Sequence, residues 1–276
     1  LREESWHCRD IGARLAMIRH GMDEGEFDNW GRATHGVAVT GPLAVLGVQH
    51  DLATQFAWLE RQQAAYLMTY PSLLAELLNF TLATGRRLAG LREVRAFGET
   101  VTPELRAACR EVWGVRLVDV YSSTETGYMA LQCPDHDHYH VQSEDVLVEV
   151  LDDQGKPCAP GEVGRVVVTS LHNFAMPLVR YDIGDFAEPG EPCACGRGLP
   201  VLRRVVGRVR NMLVTADGRR FWPTFSLRAL MEIAPIVQAQ FAQTGIDLVE
   251  ARLLVRARLT GEQEAQFREV VGARLP

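Results

Sequence analysis

Residues 94–120, VRAFGETVTPELRAACREVWGVRLVDV, read as a strand, a helix and a second strand in immediate succession. The stretch 94–97 is short and mostly apolar and runs into Gly98-Glu99. Thr102 offers a side-chain oxygen for a helix N-cap, and Pro103 suits the first helical position, where its missing N–H leaves nothing unpaired. Gly114 supplies the stop, and 115–120 is the next strand. Two strands joined through a helix form a parallel crossover. The segment therefore predicts an α/β fold: a parallel sheet with flanking helices.

Upstream, Leu73, Leu74, Leu77, Leu78 and Leu82 mark one helix face that begins after Tyr70-Pro71-Ser72 and stops near Gly85. Ile11, Leu15 and Ile18 have the spacing of another helix. Beyond residue 140 the texture changes. Segments 146–151, 165–170 and 177–181 read as strands, joined by turns at Asp152-Asp153-Gln154-Gly155 and Ala159-Pro160-Gly161. They predict a small antiparallel β subdomain over residues 140–206. From Gly207 come a hairpin at Asp217-Gly218, a helix near 224–233, strands near 235–243 and 249–259, and a helix from Gly261. The expected domains are 1–206 and 207–276, the second a partial small α+β domain.

With 276 residues, 47% hydrophobic and 23% charged, the chain has enough apolar material for a core and is not disordered in composition. No run of ~18 apolar residues is present, so no membrane-spanning helix is expected. A net charge of −6 argues against nucleic-acid binding through bulk charge. The first residues are polar and lack an apolar signal segment. Six unevenly spaced cysteines do not make a disulfide framework, which points to a reduced, cytoplasmic protein. The only lysine is Lys156, in a turn.

The stretch Asp119-Val120-Tyr121-Ser122-Ser123-Thr124-Glu125-Thr126-Gly127 follows the carboxyl end of a parallel strand, where open α/β sheets bind ligands. An aromatic followed by hydroxyls and a carboxylate can stack a base, contact a phosphate and hold Mg²⁺. The same residues also read as a polar turn capping a following helix. Gly98-Glu99 ends the preceding strand, beside Tyr121 across the sheet edge. Asp185, after a glycine in Arg180-Tyr181-Asp182-Ile183-Gly184-Asp185, is suited to two ribose hydroxyls. Gly207-Arg208 stands at the domain boundary.

A second constellation joins Cys133-Pro134-Asp135-His136-Asp137-His138-Tyr139-His140 to Cys193-Ala194-Cys195-Gly196-Arg197. A Cys-x-Cys knuckle with a distant Cys and His supplies the four S/N ligands of a closed structural zinc site. Spacing leaves His136, His138 and His140 open as the nitrogen ligand. The other readings are exposed histidines with unpaired thiols, or a strained Cys193–Cys195 disulfide. His7, His20, His35 and His50 have no ligand-like spacing and read as surface or core histidines. Trp6, Trp30, Trp58 and Trp113 read as core aromatics. Arg203, Arg204, Arg208 and Arg210 read as a solvated hinge surface more readily than as phosphate contacts.

The succession Gly-Glu, Tyr-x-x-Thr-Glu, Arg-Tyr-x-x-Gly-Asp and Gly-Arg resembles the adenylate-forming ligase superfamily. It is most similar to the phenylacetate–CoA ligases with their capsule-biosynthesis and deazaflavin-adenylylating relatives. The stretches TYPSLLAEL, TSLHNFAMPLVRYDIGD and CACGRGLP carry much of that likeness. The resemblance implies that ATP activates a carboxylic acid, with an aryl acid expected from the aromatic wall of Tyr70, Phe97 and 121–129. Coenzyme A then takes the acyl group as a thioester. It implies that Gly98 and Glu99 line the adenine site, that Tyr121 stacks on adenine with Ser122 also cofactor-binding, and that the catalytic residues are Thr124, which contacts the AMP phosphate, and Glu125, which ligates Mg²⁺. It implies further that Asp185 binds the ribose, that Arg208 follows the hinge of a rotating C-terminal lid, and that Cys133, His140, Cys193 and Cys195 hold zinc. Relatives are often dimers, so a homodimer is a further expectation.

Several family features are missing. The Ser-Gly-x-Thr-Gly phosphate loop and the C-terminal adenylation lysine are not found, so the chain is expected to be truncated at both ends. Val209, Arg210 and Asn211 stand where relatives carry aspartates, and Leu227 where a glutamate is expected. The alternatives are AMP transfer to a non-carboxylate acceptor and a non-catalytic zinc-bound domain.

Overall fold

In the computed structural model, β5 (Glu93–Ala96), α4 (Pro103–Trp113) and β6 (Arg116–Ser123) form the parallel crossover, with Val94 opposite Leu117 and Ala96 opposite Asp119. Thr102 Oγ1 accepts from the Leu105 N–H at 3.2 Å, and Gly114 closes α4 at φ 71°. The structure describes residues 1–31, 36–209, 212–223 and 227–275, with side chains for all but 227–229. The readings made at His35, Arg210, Asn211, Thr224 and the Leu227 side chain lie outside the described residues.

The chain divides into two compact units, Leu1–Val206 and Gly207–Pro276. The first unit begins with α1 (Arg2–Trp6), β1 (Leu15–Arg19), β2 (Gly25–Phe27), β3 (Leu43–Gly47), α2 (Leu52–Gln62), β4 (Tyr66–Thr69) and α3 (Pro71–Thr84). After β6 come β7 (Gly127–Gln132), β8 (Tyr139–Val141), β9 (Val146–Leu151), β10 (Gly164–Ser170), β11 (Tyr181–Pro189) and β12 (Val201–Arg208). These make a twelve-stranded sheet in the order β2-β3-β1-β4-β5-β6-β7-β8-β12-β11-β10-β9. Strands β3, β1, β4, β5 and β6 are parallel. The β6–β7, β7–β8, β8–β12, β11–β10 and β10–β9 pairings are antiparallel.

The helix expected over Ile11, Leu15 and Ile18 is instead strand β1. Leu15 packs into one apolar cluster with Leu43, Val45 and Tyr66, while Ala16 and Ile18 pack into another with Leu46, Leu67 and Leu74. A parallel strand buried on both faces shows an apolar run without alternation, and Leu15 and Ile18 of that run, with Ile11 in the turn before it, mimic helical spacing. The helix read over the leucines is α3, with Pro71 at its first turn and Gly85 left-handed at its end; Leu82 lies outside the buried stripe. The strand expected at 177–181 begins only at Tyr181. Pro177 has no N–H to give a ladder, and Arg180 at φ 47° turns the chain into β11.

The second unit holds the hairpin β13 (Leu213–Val214) and β14 (Arg220–Phe221), then α5 (Leu227–Ile233), the antiparallel pair β15 (Ile236–Gly245) and β16 (Leu248–Val255), and α6 (Gly261–Gly272). Its core gathers Leu230, Ile233, Ala234, Ile236, Phe267 and Val271. Thr260 and Gln263 form a reciprocal capping box at the start of α6.

Candidate active site

Strand β6 passes from parallel pairing with β5 to antiparallel pairing with β7, and the site residues follow that transition. Asp119 is the last residue paired to β5 and is buried. Its Oδ1 accepts from the Val120 N–H at 2.8 Å, and Tyr139 Oη donates to its Oδ2. Arg106 of α4 donates to the Leu117 carbonyl at 2.7 Å and to Gln132 Oε1 at 2.8 Å. Burial pushes the Asp119 carboxyl up to about 6, against the opposing pull of Tyr139 and Arg106. This network fixes the strand end that carries Tyr121, and none of its long-range partners was read from sequence.

A β-bulge separates Tyr121 from Ser122, re-aiming successive side chains at the point where pairing changes. No helix follows. Residues 124–126 are the turn of a β6–β7 hairpin, closed by Ser123 Oγ, which accepts from the Thr126 N–H at 3.2 Å, and by Gly127 at φ 73°. Thr124 is thereby displayed exposed at the hairpin tip, beside half-buried Glu125.

Asp185 reaches the same place from β11. Between the pairs Arg165–Phe186 and Val167–Asp182 the register shifts by two residues on β11, with Gly184 at φ 78° inside the shift. The bulge turns Asp185 inward, and Tyr121 Oη donates to Asp185 Oδ2 at 2.9 Å in a buried bond. Residues 64 positions apart in the chain, chosen from sequence for adenine and for ribose, are thus in direct contact.

Gly98 and Glu99 come two and three residues after Ala96, the end of β5, and Tyr121 lies within β6 two residues after Asp119, the partner of Ala96. Gly98 has φ 78°, and a Cβ there would stand 3.4 Å from the Tyr70 ring. The Glu99 carboxylate accepts from the Ser72 N–H at 2.8 Å and from Ser72 Oγ at 2.9 Å, capping the first turn of α3 from a neighbouring loop. A cavity of about 300 Å³ opens beside it, lined among others by His20, His50, Gln55, Tyr70, Glu76 and Glu99. Tyr70 and Phe97 pack with ring centroids 4.7 Å apart. His20 and His50, read as plain surface or core histidines, therefore line a cavity. That role depends on strands β1 and β3 ending side by side, which local spacing does not encode.

The ligand atoms of Cys133, His140, Cys193 and Cys195 all lie within 4.8 Å of one another. Cys195 Sγ is 3.3 Å from His140 Nε2, and Cys133 Sγ is 4.0 Å from Cys193 Sγ. Around a tetrahedral zinc with Zn–S of about 2.3 Å and Zn–N of about 2.0 Å, ligand atoms stand roughly 3.5–3.8 Å apart, so the donor set fits the metal. All six cysteines are free thiols, so no Cys193–Cys195 disulfide forms. Burial raises the Cys195 thiol, but hydrogen bonds from the Arg197 backbone and guanidinium outweigh it and bring the thiol down to about 7. His138 packs edge-on against His140 and His136 edge-on against His138, at centroid separations of 5.3 Å and 5.0 Å, and both are outside the four-ligand group.

The remaining expected residues go elsewhere. Arg208 belongs to the second unit, where its carbonyl accepts from Trp222 Nε1 at 3.1 Å. Arg203 and Arg204 each pair with Glu188 at 2.7 Å. His7 is held by the Gln132 carbonyl, and burial pushes its imidazole down to about 4. Trp58 is a core residue, whereas Trp6 packs edge-on against His140 at 5.6 Å.

The site thus sets an aromatic–carboxylate pair and a hydroxyl-bearing hairpin at the carboxyl edge of the parallel strands of an α/β protein, where such sheets hold ligands. Residues 33–176 match the AMP-binding enzyme family, and the chain belongs to that family. It is similar to a phenylacetate–coenzyme A ligase of Thermus thermophilus, 32% identical over 180 residues that make up 62% of this chain and 39% of that protein. A phenylacetate–coenzyme A ligase of Pseudomonas putida is 27% identical over 191 residues, 63% of this chain and 41% of that one. The match thus spans about two fifths of these curated relatives. A solved structure of a 2-hydroxyisobutyryl-CoA ligase with an acyl-AMP in the postadenylation state shares the fold, with a TM-score of 0.75 at 18% identity over 99% of this chain and 61% of that one. Among the described residues no helix is long and apolar enough to cross a membrane.

Proposed function

We propose that this chain acts in the ATP-dependent activation of a carboxylic acid to an acyl-adenylate, followed by transfer of the acyl group to coenzyme A. The observation that carries the reading is the Tyr121–Asp185 pair at the carboxyl edge of the sheet. The Tyr121 ring stacks on adenine, the backbone of Gly98 and Glu99 with Ser122 borders it, and Asp185 accepts from the ribose hydroxyls. Thr124 donates to the AMP phosphate from the hairpin tip. Glu125 beside it would hold Mg²⁺, which when bound neutralises phosphate charge.

Chemically, a carboxylate oxygen of the acid attacks the α-phosphorus of ATP. The α–β anhydride breaks and pyrophosphate leaves. The coenzyme A thiolate then attacks the acyl carbon; the C–S bond forms, the C–O bond to AMP breaks and AMP departs. The protein works by positioning and charge complementarity, not through a nucleophile of its own. The Tyr70–Phe97 ring pair supports an aryl acid. Residues 207–276, with Arg208 at their start, serve as the lid. Cys133, His140, Cys193 and Cys195 would hold a structural zinc that fixes β8 to the loop before β12. Free thiols suit a reducing compartment, and we place the protein in the cytoplasm.

Product analysis tests this reading. With ATP, Mg²⁺ and phenylacetate, AMP and pyrophosphate should form in an acid-dependent manner, and a thioester should form only when coenzyme A is added. Pyrophosphate release that ignores the acid would point to AMP transfer onto another acceptor, and no release with any acid would contradict the reading.

A further inference from the structure

Two of the four candidate zinc ligands bracket one turn, Cys133 just after β7 and His140 within β8. The residues before them, Gln132 and Tyr139, form a cross-strand pair. Both side chains reach β6. Gln132 Oε1 accepts from the Asp119 N–H at 2.8 Å and from Arg106 Nη1 at 2.8 Å, and Tyr139 Oη donates to Asp119 Oδ2. Asp119 Oδ1 in turn accepts from the Val120 N–H at 2.8 Å, one residue before Tyr121. Arg116, at the start of β6, donates to the carbonyls of Pro134, of Cys133 at 3.0 Å and of His136 at 3.3 Å, so the same turn is held at a second point. Gln132, Asp119, Tyr139 and Arg106 are all buried. A hydrogen bond broken in such surroundings leaves a desolvated group unpaired, at a cost of about 1–3 kcal/mol. Displacing the turn is therefore felt at the end of β6, where the nucleotide site begins.

We propose that Gln132 and Tyr139 are positioning residues that link the cysteine–histidine cluster to the strand carrying Tyr121, so that zinc and AMP each tighten the binding of the other. This rests on the nucleotide and zinc readings above. With Cys133 and His140 held by one ion, the backbone beside each ligand is fixed, and the two side chains keep Asp119 where Tyr121 meets Asp185. With the ion removed, the two ends of the turn are free to separate, and the Gln132 and Tyr139 bonds to Asp119 loosen with them. Such coupling is reciprocal and typically amounts to roughly 5–150-fold in affinity.

The test is the zinc affinity of the whole chain, read by competition with a chromophoric chelator in the presence and absence of AMP. In the wild type, AMP at about ten times its Kd should tighten zinc binding about five-fold or more. Tyr139→Phe keeps the ring and removes the bond to Asp119. The variant should still take up one zinc per chain, and AMP at about ten times the variant's own Kd should tighten zinc binding by less than half the wild-type factor. Matching AMP to each Kd equalises the stabilisation that a ligand gives any folded chain, so a merely structural role leaves the two factors equal. Gln132→Met removes the other link and is read in the same way if Tyr139→Phe does not fold. A wild-type zinc affinity indifferent to bound AMP, or equal factors in wild type and folded variant, would overturn this inference alone. A chain that binds no AMP overturns the nucleotide reading together with it, and a chain that binds no zinc overturns the zinc reading together with it.

Discussion

The Tyr121 hydroxyl has a task that its ring does not. The ring can stack on a base, whereas Oη holds Asp185 at 2.9 Å and so orients the carboxylate expected to meet ribose. Tyr121→Phe keeps the ring and removes the bond. It should weaken AMP binding by about five-fold, the worth of roughly 1 kcal/mol for one buried hydrogen bond. Titration calorimetry reads this directly, and an unchanged affinity would assign Tyr121 to stacking alone. At this scale the sequence was legible where a residue acts through its neighbours: Thr102 caps α4, and Gly114 ends it. It was opaque where partners come from afar. Nothing near Gln55 or Arg106 announces that one lines a cavity and the other pins β6 from beneath.

At the scale of elements, the β6 end is held by a buried acid. Asp119 has a folded-state value near 6 against an ordinary 3.8, so the folded protein binds its proton more tightly than the unfolded chain. The contribution of Asp119 to stability is therefore fully present below about pH 4 and is lost as pH rises through about 6, a swing of about 3 kcal/mol. Urea unfolding of wild type and Asp119→Asn across this window should show the wild type losing about that much relative to the variant as pH rises. Parallel curves would contradict it. The cysteine cluster gives a second test. Freshly purified protein should carry one zinc per chain, and Cys195→Ser or chelation should lower the melting temperature and release it, since structural zinc contributes about 10–16 kcal/mol in small domains. Substoichiometric metal would remove zinc from the account. Elements with punctuation at both ends, α3 and α4, could be read from sequence. Strand β1 could not, because burial on both faces erases the alternation that marks a strand.

For the whole molecule, the two compact units, Leu1–Val206 and Gly207–Pro276, each have apolar clusters of their own. Separate cores predict separate cooperative transitions. Leu230 is 2% exposed in the second unit, and Leu230→Ala should lower the stability of that unit by about 2–5 kcal/mol. In scanning calorimetry one transition should move and the other stay; a single transition that shifts as a whole would show the cores to be coupled. The crossover at 94–120 set the parallel half of the sheet from sequence, whereas its continuation into twelve strands rests on β6 changing partners at a bulge.

The central claim is that Tyr121 and Asp185 together form a nucleotide site. Titration of AMP into the wild-type chain and into Asp185→Ala measures it most directly. Saturable one-to-one binding that weakens about ten-fold or more in the variant, as expected for loss of a charged hydrogen-bond acceptor, is the predicted result. No binding to the wild type, or equal affinity for both proteins, would contradict it.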